Sequence, residues 1–97
     1  MKTNIYIVEH GVQIRIDVED TEMKLHDALN RYLRKRQDVE FINSSVTFET
    51  PITDFKYNNI LFSVLFDEMT DETFAFVSEE YDYKIIEKLL QECDINY

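Results

Sequence analysis

Polar and apolar positions alternate cleanly over residues 12–18, with Val12, Ile14, Ile16 and Val18 on one side and Gln13, Arg15 and Asp17 on the other. That period of two predicts a half-buried strand. Residues 4–8 (NIYIV) predict a strand just before it, and Gly11, the only glycine, falls where the two must turn into a hairpin. Glycine suits such a turn because it takes positive φ at little cost. The period then lengthens. Leu25, Ala28, Leu29, Tyr32 and Leu33 lie on one stripe of a helix running from about Glu22 to Arg36, with Asp20 or Thr21 as its N-cap. Arg31, Arg34, Lys35 and Arg36 crowd its last turns, where the helix dipole favours cations.

Alternation returns over 39–49, with Val46 and Phe48 opposed to Thr47 and Glu49, and Asn43-Ser44-Ser45 marks a bulge or a break. Thr50-Pro51 punctuates the chain, and residues 52–58 are assigned to no element. ILFSVLF (60–66) and TFAFVS (73–78) predict adjacent antiparallel strands joined by the loop DEMTDE (67–72). Ser78 then serves as N-cap for a helix from about Glu79 or Glu80 to Cys93, striped by Ile85, Ile86, Leu89, Leu90 and Cys93. Glu80, Lys84, Lys88 and Glu92 recur four apart on its other side and can pair in sequence. The whole predicts an α+β fold in the order ββαβββα: about five strands in a mainly antiparallel sheet with two helices, a single domain over 1–97.

Strands 60–66 and 73–77 are apolar at both parities: Leu61 and Leu65 oppose Ile60, Phe62, Val64 and Phe66, while Phe74 and Phe76 oppose Ala75 and Val77. A strand apolar on both sides is normally covered on both. Either the helices take opposite faces or something else, such as a second copy of the chain in a homodimer, covers one of them.

Composition narrows the picture. An apolar content of 44% with seven Phe and six Tyr supports a folded core rather than a disordered acidic tail. The longest near-continuous apolar run, at 60–66, is far short of the roughly 20 residues a membrane helix needs. The N-terminal residues lack the pattern of a signal peptide, and a single cysteine allows no internal disulfide. A cytoplasmic protein is expected, without a membrane partner.

The net charge is −10, and it is unevenly placed. Residues 1–48 hold eight acids and seven bases, whereas residues 49–97 hold twelve acids and three bases. Between 67 and 82 stand Asp67, Glu68, Asp71, Glu72, Glu79, Glu80 and Asp82, with no base. Such a field repels nucleic acid and anionic membranes and attracts cationic protein surfaces.

Candidate chemistry is sparse. His10, His26 and Cys93 are isolated, without the paired spacing of a zinc site. Asp67 and Asp71 begin like a calcium loop, but its sixth position is Glu72 instead of Gly and its twelfth is Ser78 instead of an acid. One glycine cannot build a phosphate-cradling loop, and none of Ser44, Ser45, Ser63 or Ser78 sits in a nucleophile elbow. No metal, cofactor or catalytic residue is expected. The Arg31–Arg36 bases read as dipole complement and partners for Asp38 and Glu40, not as a phosphate site.

The acidic block has a local explanation. Acids suit the first turn of a helix, and acids in a hairpin loop discourage aggregation. The total exceeds what solubility requires, about 2–8 charges for a small domain. Tyr81 and Tyr83, interleaved with the second cluster, are interface-type anchors. Two carboxylate clusters roughly 20 Å apart on either side of a strand, with these tyrosines, predict a surface that docks on a basic groove meant for nucleic acid. In profile (under 100 residues, acidic, rich in Asn, Ile, Lys and Tyr, without catalytic motifs) the chain resembles the small inhibitors encoded by bacteriophages and mobile elements. Anti-CRISPR proteins and restriction-evading DNA mimics are among these, and immunity proteins against cationic toxins share the physics. The resemblance is one of composition along the whole chain, and it assigns no residue. It implies an inhibitor working in the cytoplasm of a bacterial host.

Overall fold

In the computed structural model, which describes residues 2–47 and 50–93, the N-terminal hairpin pairs β1 (Thr3–Val8) with β2 (Gly11–Glu19) around a turn at Glu9 and His10. Gly11 opens the second strand, and its need for glycine is one of space: a Cβ there would collide with the Val77 carbonyl oxygen and the Phe76 ring. The hairpin thus docks flush on a later strand. Helix α1 (Lys24–Lys35) follows, then β3 (Val39–Thr47), β4 (Thr50–Tyr57), β5 (Ile60–Asp67), β6 (Glu72–Val77) and helix α2 (Tyr83–Gln91). Each helix is preceded by a single 3-10 turn, Thr21–Met23 before α1 and Glu80–Asp82 before α2.

The α+β reading holds, with six strands in place of five among the described residues. They form one antiparallel sheet in the order β1-β2-β6-β5-β4-β3. The added strand is β4. Its inward positions are Thr53 and Phe55, whereas Ile52 turns outward beside Pro51, so a polar side chain takes an inward place and an apolar one an outward place. Asn43-Ser44-Ser45 lies within β3, next to a register shift between Phe41 and Asn43. The expected positions of Phe48 and Glu49 lie outside the described residues.

Both helices pack on the same face of the sheet. Leu25, Leu29 and Leu33 of α1 and Ile86, Leu89 and Leu90 of α2 join Ile14, Ile16, Phe55, Phe62, Val64 and Val77 in one core. Cys93 is buried at its margin, while Ile85 lies at 41% exposure instead of on the buried stripe. The start of α1 is tied down by Asp20. Its buried carboxylate accepts the backbone N–H of Leu25 at 2.6 Å and of His26 at 2.9 Å, together with the Thr73 hydroxyl. Asp20 is therefore the anchor of this helix, although the α-helix begins at Lys24. Ser78 does not cap the second helix. Glu79 stands at the head of its 3-10 turn, without a side-chain cap bond.

With both helices on one side, the sheet's other face carries no helix among the described residues. Antiparallel sheets commonly leave one face solvated, but this one bears Tyr6, Phe74, Phe76, Leu65, Leu61 and Ile52 as well as polar side chains.

Candidate acidic interface

The 67–72 segment caps one end of the central β5–β6 pair, and the 79–82 segment lies beyond the other end of β6. Six residues of strand separate them, roughly 20 Å. The two clusters therefore sit at opposite ends of a central strand. Tyr81, within the second cluster, is 80% exposed. Tyr83, by contrast, packs partly buried against the core and serves the helix more than the surface.

The fold adds acids that the block of 67–82 does not contain. Because β2 pairs with β6, Glu19 stands opposite Glu72, and Glu72 stands opposite Asp67 on β5. Three carboxylates from three strands thus fall in one row across the sheet. Like charges directly opposite each other destabilise a sheet. The backbone N–H of Asp20 donates to the Asp71 carbonyl at 2.6 Å, binding the 67–71 loop to the end of β2. Asp71 adopts a left-handed φ of 52° at this point. Asp17 and Glu22 complete this end of the molecule.

Nearby bases are few and engaged. Lys2 lies 3.6 Å from Asp17, and Lys24 lies 3.4 Å from Glu22. Arg15 is the central one: its guanidinium pairs with Glu72 and donates to Gln13 Oε1 at 3.0 Å and 3.2 Å. It also lies 5.3 Å from the centroids of both the Tyr6 and Phe74 rings. Around it opens a hollow of about 400 Å³ on the helix-free face, lined among others by Tyr6, Arg15, Asp17, Glu19, Thr70 and Glu72. Sequence reasoning missed Glu19, Asp17, Tyr6 and Arg15 because their place depends on the non-local β2–β6 pairing. The only hint was the outward parity of Arg15 and Asp17.

Two of the bases in the basic cluster are held by neighbouring side chains. Arg34 lies 4.0 Å from the centroid of the Phe41 ring. Arg36 makes two bonds to Asp38 at 2.6 Å and 2.8 Å, one to Tyr32 at 2.7 Å and one to Glu92 at 3.4 Å. The bond from Arg36 holds the Asp38 carboxyl below its ordinary range, and the same bond holds the guanidinium firmly charged. Glu92 thus turns to Arg36.

His26 is buried, edge-on to the Phe66 ring, with the Asn30 amide 3.3 Å from its ring nitrogens. Burial pushes its pKa below the ordinary 6.5, against the opposing pull of Asp27 and Asp20. It borders a second hollow of about 360 Å³ together with Asp27, Asn30, Arg31, Arg34 and Thr53. His10 stands apart in the β1–β2 turn and Cys93 in the core, so the three sequence-flagged side chains do not converge. Among the described residues no group of three or more His, Cys, Asp or Glu is arranged to hold a metal ion, and no helix is long and apolar enough to cross a membrane.

No protein-family model, curated protein or solved structure matches the chain.

Proposed function

We propose that this protein is a non-catalytic acidic binding module that inhibits a nucleic-acid-handling protein, such as a nuclease, CRISPR effector or restriction enzyme. It does so by occupying that protein's basic surface, as a DNA mimic working in the cytoplasm. The observation that carries this reading is the row Glu19–Glu72–Asp67, three carboxylates aligned across three strands. Such a row costs stability, so a use for concentrated negative charge is the natural reason to keep it. Asp67, Glu68, Asp71 and Glu72 stand at one end of β6, and Glu79, Glu80 and Asp82 with Tyr81 stand beyond the other. Ordered carboxylates at both ends of a rigid strand gain from the same counterion release and steering that phosphates provide.

The reading is tested by capturing a partner from bacterial lysate at low salt and challenging the complex with duplex DNA. Displacement by DNA is expected. A complex indifferent to DNA overturns the mimicry.

A second reading is favoured by one observation: the apolar side chains on the sheet face that no helix covers. In that case β5 and β6 form a homodimer interface and the acid serves only solvation. It predicts a stable dimer, insensitive to reversal of Asp71, Glu72, Glu79 and Glu80.

A further inference from the structure

Building on the acidic-module reading, we propose that the helix-free face of the sheet is a docking surface for a basic amphipathic helix of the partner. Along β6 the outward positions run Glu72, Phe74, Phe76, with Glu79 and Glu80 beyond the strand's end. From Glu72 past Phe74 and Phe76 to Ser78 this side of the strand spans roughly 20 Å, the length of about 13 helical residues, with the acids at its Glu72 end. Leu65 and Leu61 extend the apolar strip onto β5, where Leu61 is 56% exposed, and Tyr6, 50% exposed, borders it on β1. Phe74, Phe76 and Leu65 between them are half-buried, and apolar strips of this kind rimmed by polar residues mark interaction sites.

Charge selects the occupant. A second copy would bring another net charge of −10 against the first, with the aligned carboxylates at the end of each face. A helix with a Leu- or Met-type stripe and Lys and Arg at one end complements both features, its apolar side chains on Phe74, Phe76 and Leu65 and its cations toward Asp17, Glu19 and Asp67. The chain's own Arg15 shows the chemistry this face offers a cation, and the acids left for a partner's cations lie beside it. The guanidinium of Arg15 lies beside the rings of Tyr6 and Phe74 and pairs with Glu72, and the hollow next to it is bordered by Asp17 and Glu19. Ring faces and carboxylates together are the ordinary chemistry of guanidinium recognition.

The test uses ¹⁵N-labelled protein and two synthetic probes of 18 residues: a helical Lys/Leu peptide with Leu at i, i+3, i+4 and i+7, and oligolysine. The amphipathic peptide is expected to shift the amides of Ser63, Leu65, Phe74 and Phe76 and to bind at least tenfold more tightly than oligolysine. Leu61→Ser, at an outward and exposed position, is expected to remove that tenfold advantage while leaving oligolysine binding unchanged. Equal binding of the two probes, with shifts confined to the acidic segments, overturns the docking face but leaves the acidic-module reading standing. Binding of neither probe overturns both. Dilution-dependent shifts on the same face without any probe show a second copy there and overturn the proposal.

Discussion

At the scale of single residues, two buried polar side chains carry distinct consequences. Asp20 closes the start of α1 and accepts the Thr73 hydroxyl, so it couples a helix to the central strand β6. Asp20→Ala strands two backbone N–H groups and a hydroxyl in a buried site. It is expected to lower stability by about 2–4 kcal/mol, the loss of a cap plus unsatisfied donors, as read from urea midpoints. His26 gives a pH signature. Burial lowers its pKa in the folded state below 6.5, so the unfolded chain takes up the proton first as pH falls. The stabilisation from keeping His26 neutral is fully present above pH 6.5 and declines below it, until the folded-state pKa is passed. The urea midpoint is expected to drop between pH 7 and 5 in the native protein and to drop less in His26→Gln. The Asp38 contribution belongs to a separate window. Its pKa is lowered from 3.8, so what it gives is present above that value and is lost only in stronger acid.

At the scale of elements, alternation and helical stripes were enough to read the N-terminal hairpin, both helices and the β5–β6 pair. Val12, Ile14 and Ile16, and Leu25, Leu29 and Leu33, point where their periods say. Strand β4 was illegible because Thr53 takes an inward position while Ile52 faces out, leaving Phe55 alone to signal the buried side. Which face each helix covers was equally hidden, since an apolar stripe fixes what a helix buries but not the side of the sheet it crosses. The Glu19–Glu72–Asp67 row could not be read either, because β2 and β6 are distant in sequence and meet only through the sheet order. Gly11 shows a signal read correctly in place but for a different reason: the residue matters for the close approach of β2 to Val77 and Phe76. Gly11→Ala is expected to cost about 1–3 kcal/mol, in the range of overpacking substitutions, measured by thermal or urea unfolding.

At the scale of the whole molecule, charge is held against the interest of stability. If the aligned acids serve a partner, neutralising one should improve the fold while weakening the function. Glu19→Gln is expected to raise stability by about 0.2–1 kcal/mol, the scale of a cross-strand pair, and to weaken capture of a basic partner. A stabilised variant with undiminished binding would assign the row to solvation alone. One face of the sheet is committed to the core, and the other carries no helix among the described residues and has the Glu19–Glu72–Asp67 row at one end.

The most direct test of that account is retention of a nucleic-acid-binding protein from bacterial lysate by the tagged chain, at low salt and at about 0.5 M, where screening shortens electrostatic reach to a few Å. The account predicts capture at low salt, release by high salt or by duplex DNA, and loss of capture when Asp71, Glu72, Glu79 and Glu80 are reversed to lysine. Capture that survives all three treatments, or a dimer that captures nothing at either salt, would contradict it.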